Sequence, residues 1–305
     1  MSMRRTILVL ALALPITLVG GVDGSAGTAQ AEESANQLLY YNHAYGVLDA
    51  ETADAVANSE YLREFASFEI RTTSSGDLTW TGRYLYGRET YLEFFKEGEL
   101  PAPDDIAGAA GLAVSADRDG DLATAIEGLP AAGLPDPLPF LQTRDFGDGV
   151  RVPWFDGVNT VATYDAFMAW GMEYREEYLA DPRSKTEPAS FPGDVGRERY
   201  LPDTYADHLM RNVTGVRIAV TENDLVNNVP LLRAGGFSVQ TVSTGVVATG
   251  GGVTIRLDAV PFDQVGLRRI DFALNRSITY QDEVRLGNST LTVGPRDRAV
   301  WTFGA

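Results

Sequence analysis

The chain has 305 residues, no cysteine, and a formal net charge of −17 that comes from 42 acidic and 25 basic side chains. Without cysteine, the sequence excludes a disulfide framework, a thiol nucleophile and a thiolate metal site. The acidic balance argues against nucleic acid or an anionic membrane surface as a partner, because both require clustered lysine and arginine.

The N-terminal segment has the organisation of a secretory signal peptide. Two arginines precede an apolar run, and the small-residue stretch that follows contains Ala29, Gln30 and Ala31. This pattern predicts cleavage after Ala31, so that residues 1–31 are removed and the mature protein is secreted or otherwise extracytoplasmic, without insertion in a membrane. An uncleaved membrane anchor is the alternative, but Pro15 makes the run short for a span of about 20 residues. The export route, general or twin-arginine, stays open.

The first predicted unit starts with a strand in LLYYNHAYGVLD and continues into a helix. Apolar residues recur at helical spacing from Ala53 to Phe65, and Asp49 stands before them as a candidate N-cap. Three segments rich in threonine and aromatic residues follow and predict strands: FEIRTT, TWTGRYLYG and TYLEFFK.

The same order of a strand, a helix and further strands recurs along the chain. The strand segments GAAGLAVSAD and VTGVRIAVTEND each lead into a helical pattern, DLATAIEGL or LVNNVPLLRAGG, and then into further strand segments. A fourth opening strand, GLRRIDFALNRS, has no helix after it and is followed by STLTV and AVWTF. The sequence therefore predicts an α+β fold built from repeated strand-helix-strand-strand-strand modules.

A proline-rich segment over residues 181–211 separates the second module from the third. Proline disfavours both helix interiors and central strands, so this segment predicts a linker. It divides the mature chain into an N-terminal lobe, residues 32–180, with two modules, and a C-terminal lobe, residues 212–305, with degenerate copies.

Glu93 raises a question, because it stands among aromatic and aliphatic residues in the predicted strand TYLEFF. A carboxylate buried there is costly unless it is paired, protonated or bound to a metal. A salt bridge to Arg83 or Arg88, both close in sequence, is one answer.

The first module resembles the vicinal oxygen chelate superfamily, which includes glyoxalase I, bleomycin-resistance proteins and extradiol dioxygenases. The resemblance rests on YYNHAYGVLD in the first strand and on TYLEFF in the last. It implies module pairs that form curled mixed sheets around a cavity, with metal ligands at His43 and Glu93. The segments GRYLYGRETYLEFF, WGMEY and AVWTF are also similar to a bacterial family of unknown function, over nearly the whole mature chain.

The second module departs from the superfamily pattern, since its opening strand has no histidine. Its last strand carries Glu173 at the position that corresponds to Glu93. The resemblance thus implies one metal site, formed by His43, Glu93 and Glu173, and a C-terminal lobe without metal. One imidazole and two carboxylates suit a divalent cation such as Zn, Mn, Fe or Ni. An enzyme with this site would be a glyoxalase-like lyase or a dioxygenase-like oxidoreductase.

Structural roles for the same side chains stay open: Glu173 paired with Arg175, and His43 as a hydrogen-bonded core residue. No P-loop, G-x-S-x-G or H-E-x-x-H motif occurs, so no catalytic residue and no organic cofactor are predicted.

The sequence is compatible with two functions. The first is a protein that binds a small molecule in the N-terminal lobe, with or without a divalent metal. The alternative is a non-catalytic secreted protein that contacts another protein or the cell envelope. The oligomeric state is not predicted.

Overall fold

The computed structural model describes residues 37–75 and 78–304, and the predicted signal segment 1–31 lies outside them. The first two modules contribute strands β1 Leu39–Leu48, β2 Ser67–Ser75, β3 Leu78–Tyr86, β4 Tyr91–Lys96, β5 Ala110–Ala116, β6 Leu138–Asp145, β7 Arg151–Asn159 and β8 Phe167–Tyr174. Their helices are α1 Ala50–Asn58, α2 Glu60–Phe65 and α3 Asp121–Ala132. Asp49 caps α1 as predicted, since its Oδ1 accepts from the Thr52 amide at 3.0 Å.

The eight strands of these modules form a closed barrel in the order β1-β4-β3-β2-β6-β7-β8-β5. The predicted curled sheet is therefore wrong in one respect, because the sheet closes on itself. The two modules join along β1 and β5, which pair antiparallel over most of their length. On the opposite side, the ends of β2 and β6 meet, and the residue pair that links them is Ser74 with Asp145.

The rest of the chain forms a second sheet of eight strands in the order β10-β11-β12-β9-β13-β16-β15-β14. Its strands are β9 Met210–Val220, β10 Ser238–Val242, β11 Gly245–Gly250, β12 Val253–Ala259, β13 Gly266–Ile278, β14 Asp282–Leu286, β15 Ser289–Val293 and β16 Arg296–Phe303. Helix α6, Glu222–Ala234, follows β9, whereas β13 leads to β14 without a helix, as the sequence predicts. The chain is thus mixed α/β and mostly sheet.

The chain between the two sheets contains two short helices, α4 Glu176–Leu179 just before the proline-rich segment and α5 Arg197–Tyr200 within it. Tyr178, Tyr200 and Leu201 are buried together with interior side chains of the barrel. The Arg197 guanidinium donates to the Asp117 carboxylate at 2.9 and 3.0 Å. One part of the barrel interior is therefore filled by protein, and a cavity is left in the other part.

No helix in the described ranges is long and apolar enough to cross a membrane.

Candidate functional site

A cavity of about 440 Å³ lies inside the barrel, with both modules and the loop from β4 to β5 in its wall. Nine of its twenty lining residues are aromatic: Tyr45, Trp80, Tyr84, Tyr91, Phe95, Phe140, Trp154, Phe155 and Trp170. Four ionisable side chains other than tyrosine also line it: His43, Arg71, Glu93 and Asp104. Alternate residues of a strand face one side of a sheet, so each strand supplies every second side chain to this wall.

A β-bulge in β1 places two polar neighbours on the same side of the sheet. The pairing with β5 passes from Tyr41↔Val114 to His43↔Ala113, so that Asn42 is an extra residue in β1. Asn42 and His43 therefore both face the barrel interior. The Asn42 amide nitrogen donates to Ser115 Oγ at 2.9 Å and to the Tyr174 hydroxyl at 3.2 Å.

His43 is held in one tautomer by this network. Because the amide nitrogen of Asn42 donates to two hydroxyls, its carbonyl oxygen accepts from His43 Nδ1, at 2.8 Å. The second ring nitrogen, Nε2, is then an acceptor and lies 3.5 Å from the Tyr91 hydroxyl. Burial lowers the pKa of His43 to about 3, so the imidazole is neutral at physiological pH.

Glu93 lies on β4, two residues beyond Tyr91, which is the register partner of His43 on the adjacent parallel strand β1. Its Oε1 accepts a short hydrogen bond of 2.5 Å from the Tyr84 hydroxyl. Burial raises the pKa of Glu93 to about 7, while the Tyr84 hydrogen bond, the charge of Arg71 and the Trp80 indole lower it. The carboxyl group can therefore gain or lose a proton near neutral pH, which is the property of a general acid or base.

Gly82 makes room for this hydrogen-bonded pair. A Cβ at Gly82 would lie 2.7 Å from Glu93 Oε1 and 2.7 Å from the Tyr84 ring. We expect Gly82→Ala to lower the free energy of unfolding by about 1–3 kcal/mol, as overpacking does. It should also raise the pKa of Glu93, because the Tyr84 hydrogen bond that lowers this pKa is displaced.

Urea denaturation and an NMR titration of the Glu93 carboxyl carbon measure the two effects of Gly82→Ala. Gly128→Ala is the control, because a Cβ there meets only an ordinary contact, Ala234 Cβ at 3.8 Å. Equal stability of the two variants, with an unchanged Glu93 titration, would show that Gly82 has no such role.

Glu173 does not join His43 and Glu93. It lies on β8 between Met172, which lines the cavity, and Tyr174, which is buried in the barrel interior, and therefore faces the outer side of the barrel wall. Its two oxygens accept from the backbone amides of Gly120 and Leu122, at 3.1 and 3.0 Å, where α3 begins. A carboxylate at a helix N-terminus is stabilised by the amides that lack partners there, so Glu173 has a structural role.

The salt bridges considered for these glutamates involve other partners. Arg83 pairs with Glu99 at 2.7 Å, and Arg88 pairs with Glu198 at 2.7 Å. Arg175 pairs with Asp156 and Glu177. Glu93 is thus a buried carboxyl group that accepts from the Tyr84 hydroxyl, which in turn accepts from Trp80 Nε1 at 3.3 Å.

The residues present do not fit the predicted divalent metal site. Glu93 Oε1 is engaged by Tyr84, His43 Nδ1 is engaged by Asn42, and Glu173 faces the other side of the wall. In the part of the chain that the structure describes, no group of three or more histidine, aspartate and glutamate residues is placed to hold a metal. We therefore derive no chemical step through a metal.

Two charged residues of the cavity were not predicted from the sequence. Arg71 on β2 lies over the Tyr84 ring, with its guanidinium carbon 4.4 Å from the ring centroid. Asp104 belongs to the loop from β4 to β5 and accepts from the Tyr164 hydroxyl at 2.7 Å. Strand alternation could have indicated Arg71, because Arg71 and Thr73 occupy alternate positions of FEIRTT, whereas nothing in the loop sequence points to Asp104.

A family model described as "Family of unknown function (DUF5829)" matches residues 41–303. No functionally curated protein matches the chain. Among solved structures, a hypothetical protein from Staphylococcus aureus is 9% identical with a TM-score of 0.50, and the match covers 85% of this chain and 100% of that one. This likeness concerns the fold alone.

Two further solved structures are more distant. A xylose isomerase-like TIM barrel/4-hydroxyphenylpyruvate dioxygenase fusion protein is 11% identical, with a TM-score of 0.40 over 78% of this chain and 37% of that one. A mutant of 4-hydroxymandelate synthase from Streptomyces coelicolor is 12% identical, with a TM-score of 0.36 over 88% of this chain and 93% of that one. Neither likeness is close enough to support an inference about this chain.

Proposed function

The chain belongs to the family of unknown function DUF5829, and on that premise we propose that its barrel binds a small, largely planar organic molecule. The ligand occupies the cavity between the two modules, and Glu93 exchanges a hydrogen bond or a proton with it. The paired strand-helix-strand-strand-strand modules support a relationship to vicinal oxygen chelate proteins, without the metal site.

The observation that carries this proposal is the position of Glu93. Its carboxyl group is 8% exposed and lies in a wall of aromatic rings, where an ionisable group is costly to keep. Ligand cavities typically combine an apolar lining with a few polar groups that orient the ligand. The cavity volume of about 440 Å³ is within the range of such sites, roughly 300–1,000 Å³.

Proton transfer is a second candidate function, favoured by the presence of Glu93 and the neutral imidazole of His43 in the wall of the same cavity. A pKa of about 7 suits Glu93 to remove a proton from a carbon next to a carbonyl group. His43 Nε2, with Nδ1 engaged by Asn42, is available as a hydrogen-bond acceptor on an adjacent strand.

Intrinsic fluorescence tests ligand binding, because three of the four tryptophans line the cavity. These are Trp80, Trp154 and Trp170, whereas Trp301 lies buried in the second sheet. We expect at least one of three one-ring probes, namely benzyl alcohol, benzoate and phenyltrimethylammonium, to change the emission of the wild-type protein to saturation. Isothermal titration calorimetry should give the same dissociation constant.

Variants locate the binding signal. Trp170→Phe should lose most of the fluorescence change, and Trp301→Phe should keep it. Glu93→Gln should weaken binding about tenfold, the usual effect of a hydrogen bond to a charged group. Glu173→Gln is the matched control, since it removes the same charge from the outer face of the barrel. If none of the three probes binds to the wild-type protein, the non-catalytic interaction protein is favoured instead.

Export and the division into two lobes are also proposals. We infer that residues 1–31 direct secretion, and that residues 181–211 connect an N-terminal lobe to a C-terminal lobe of degenerate modules.

A further inference from the structure

Two polar atoms of the cavity wall are buried without a hydrogen-bond partner in the described part of the chain: Asp104 Oδ1 and Trp154 Nε1. Buried polar atoms are nearly always satisfied in native proteins, so an orphan atom beside a cavity points to a bound group. Asp104 Oδ1 lacks a donor or a positive charge beside it, and Trp154 Nε1 lacks an acceptor.

The charges of the cavity wall favour a positive ligand. Arg71 is partly neutralised by Glu69, whose carboxylate lies 3.3 Å from it, and its guanidinium also covers the Tyr84 ring. Glu93 and Asp104 contribute two carboxyl groups, and no second cationic side chain lines the cavity within the described ranges. Burial raises the pKa of Asp104, because the carboxylate has lost water that a bound cation would replace.

The aromatic rings around these carboxyl groups favour the same charge. Tyr45 pairs in register with Glu93, and its ring lies 6.0 Å from Trp170 and 5.9 Å from Phe95. The Tyr45 hydroxyl lies close enough to the Asp104 carboxyl group to lower its pKa. The faces of aromatic rings attract cations, most strongly where water is excluded.

Gly111 makes room for Tyr45, which is the register partner of Glu93 and lies near Asp104. Gly111 lies opposite Tyr45 in the pairing of β1 with β5, and a Cβ there would lie 2.0 Å from the Tyr45 ring. The ring can therefore pack flat across the neighbouring strand and reach the loop that carries Asp104.

We propose that the ligand of this cavity is an organic cation, an aromatic or similarly flat molecule with an ammonium or comparable charged nitrogen. The charged nitrogen lies beside Asp104 and the rings of Tyr45 and Trp170. An acceptor atom elsewhere on the ligand takes the hydrogen bond of Trp154 Nε1. This inference rests on the proposed binding function and gives it a substrate class.

The test compares two molecules of nearly equal shape on the wild-type protein: phenyltrimethylammonium and its neutral isostere tert-butylbenzene. We expect the cation to bind at least about tenfold more tightly, a difference typical of a desolvated cation beside aromatic rings. Benzoate, the anionic probe, should bind more weakly than either. Calorimetry for the soluble probes and ligand-observed NMR for the isostere provide the affinities.

Asp104→Asn is the variant that isolates the charge. It should reduce the affinity for the cation about tenfold and leave the affinity for tert-butylbenzene unchanged. Asp105→Asn, at the neighbouring position in the same loop, is the control. The comparison of isosteres on the wild-type protein needs no variant, so it remains decisive if Asp104→Asn is unstable.

The outcomes separate the two proposals. If tert-butylbenzene or benzoate binds as tightly as phenyltrimethylammonium, the cavity is a ligand site but the cationic ligand is wrong. If no probe binds, the binding function itself is wrong.

Discussion

Replacing Asp224 with alanine is expected to lower the free energy of unfolding by about 4 kcal/mol, since three backbone amides, two of them fully buried, lose their acceptor. Asp224 lies on α6 and is 0% exposed. Its Oδ1 accepts from the Asp165 amide, and its Oδ2 accepts from the amides of Ala166 and Phe167, each at 2.9 Å. These amides belong to the start of β8 and would otherwise be unsatisfied at the junction of the barrel and α6.

Urea denaturation of the Asp224→Ala variant measures this loss. Glu222→Ala, an exposed position on the same helix, controls for changes in helix propensity and charge. The stability of Asp224→Asn should lie between those of Asp224→Ala and Glu222→Ala, because an amide side chain keeps one acceptor and places a donor against the backbone amides. If the decrease in the free energy of unfolding is within about 1 kcal/mol of that for Glu222→Ala, the cost is that of a surface substitution, and the amides have found other partners.

Glu93→Gln should stabilise the protein at alkaline pH, by up to about 3 kcal/mol at pH 8 and by almost nothing at pH 4. The pKa of Glu93 is raised from 4.5 to about 7 in the folded protein. Below its unfolded pKa the group is protonated in both states and costs nothing. As the pH rises to the folded pKa, the unfolded state releases its proton first, so the wild-type protein loses stability that the amide variant keeps.

The other groups around Glu93 do not titrate in this window. Burial raises the pKa values of Tyr84 and Tyr91 above their usual range, and it lowers the pKa of His43 to about 3. Arg71 stays charged. Asp104, whose pKa is also raised, is present in both proteins, so its contribution cancels in the difference.

Thermal or urea denaturation of the wild-type protein and of Glu93→Gln at a series of pH values gives the difference in their free energies of unfolding. Glu127→Gln, on the exposed side of α3, controls for the loss of one negative charge. A difference in the free energy of unfolding that does not change with pH would mean that Glu93 has an ordinary pKa. A role of Glu93 in the cavity would then rest on the effect of Glu93→Gln on probe binding. Active and binding sites commonly cost stability in this way, because they hold groups in states that folding alone does not favour.

Local patterns predicted the elements of this fold well, because those patterns act over short distances. The cap at Asp49 depends on four neighbouring residues, and the strand segments of each module depend on their own composition. The missing helix of the fourth module was also visible, since GLRRIDFALNRS is followed by turn and strand residues. The closure of the barrel was not visible, because it depends on the ends of β2 and β6, which are 71 residues apart at Ser74 and Asp145.

The candidate site was half predicted. The wall that contains His43 and Glu93 follows from the strand period, and the bulge at Asn42 then brings a second polar residue beside the imidazole. The similarity of WGMEY to TYLEFF predicts that Glu173 joins the same site, but in the structure strand alternation places Glu173 on the other face of the sheet. A one-residue difference in register is enough for this, and similarity of composition does not detect it.

Helix α6 has a consequence for the order in which the protein forms. The amides that Asp224 accepts from lie 57 to 59 residues earlier in the chain, at the start of β8. A nascent chain that ends before this helix contains every strand of the barrel but lacks the acceptor that secures the last one. The start of β8 is therefore expected to be less stable until α6 is present, and such long-range contacts are typical of chains that fold slowly.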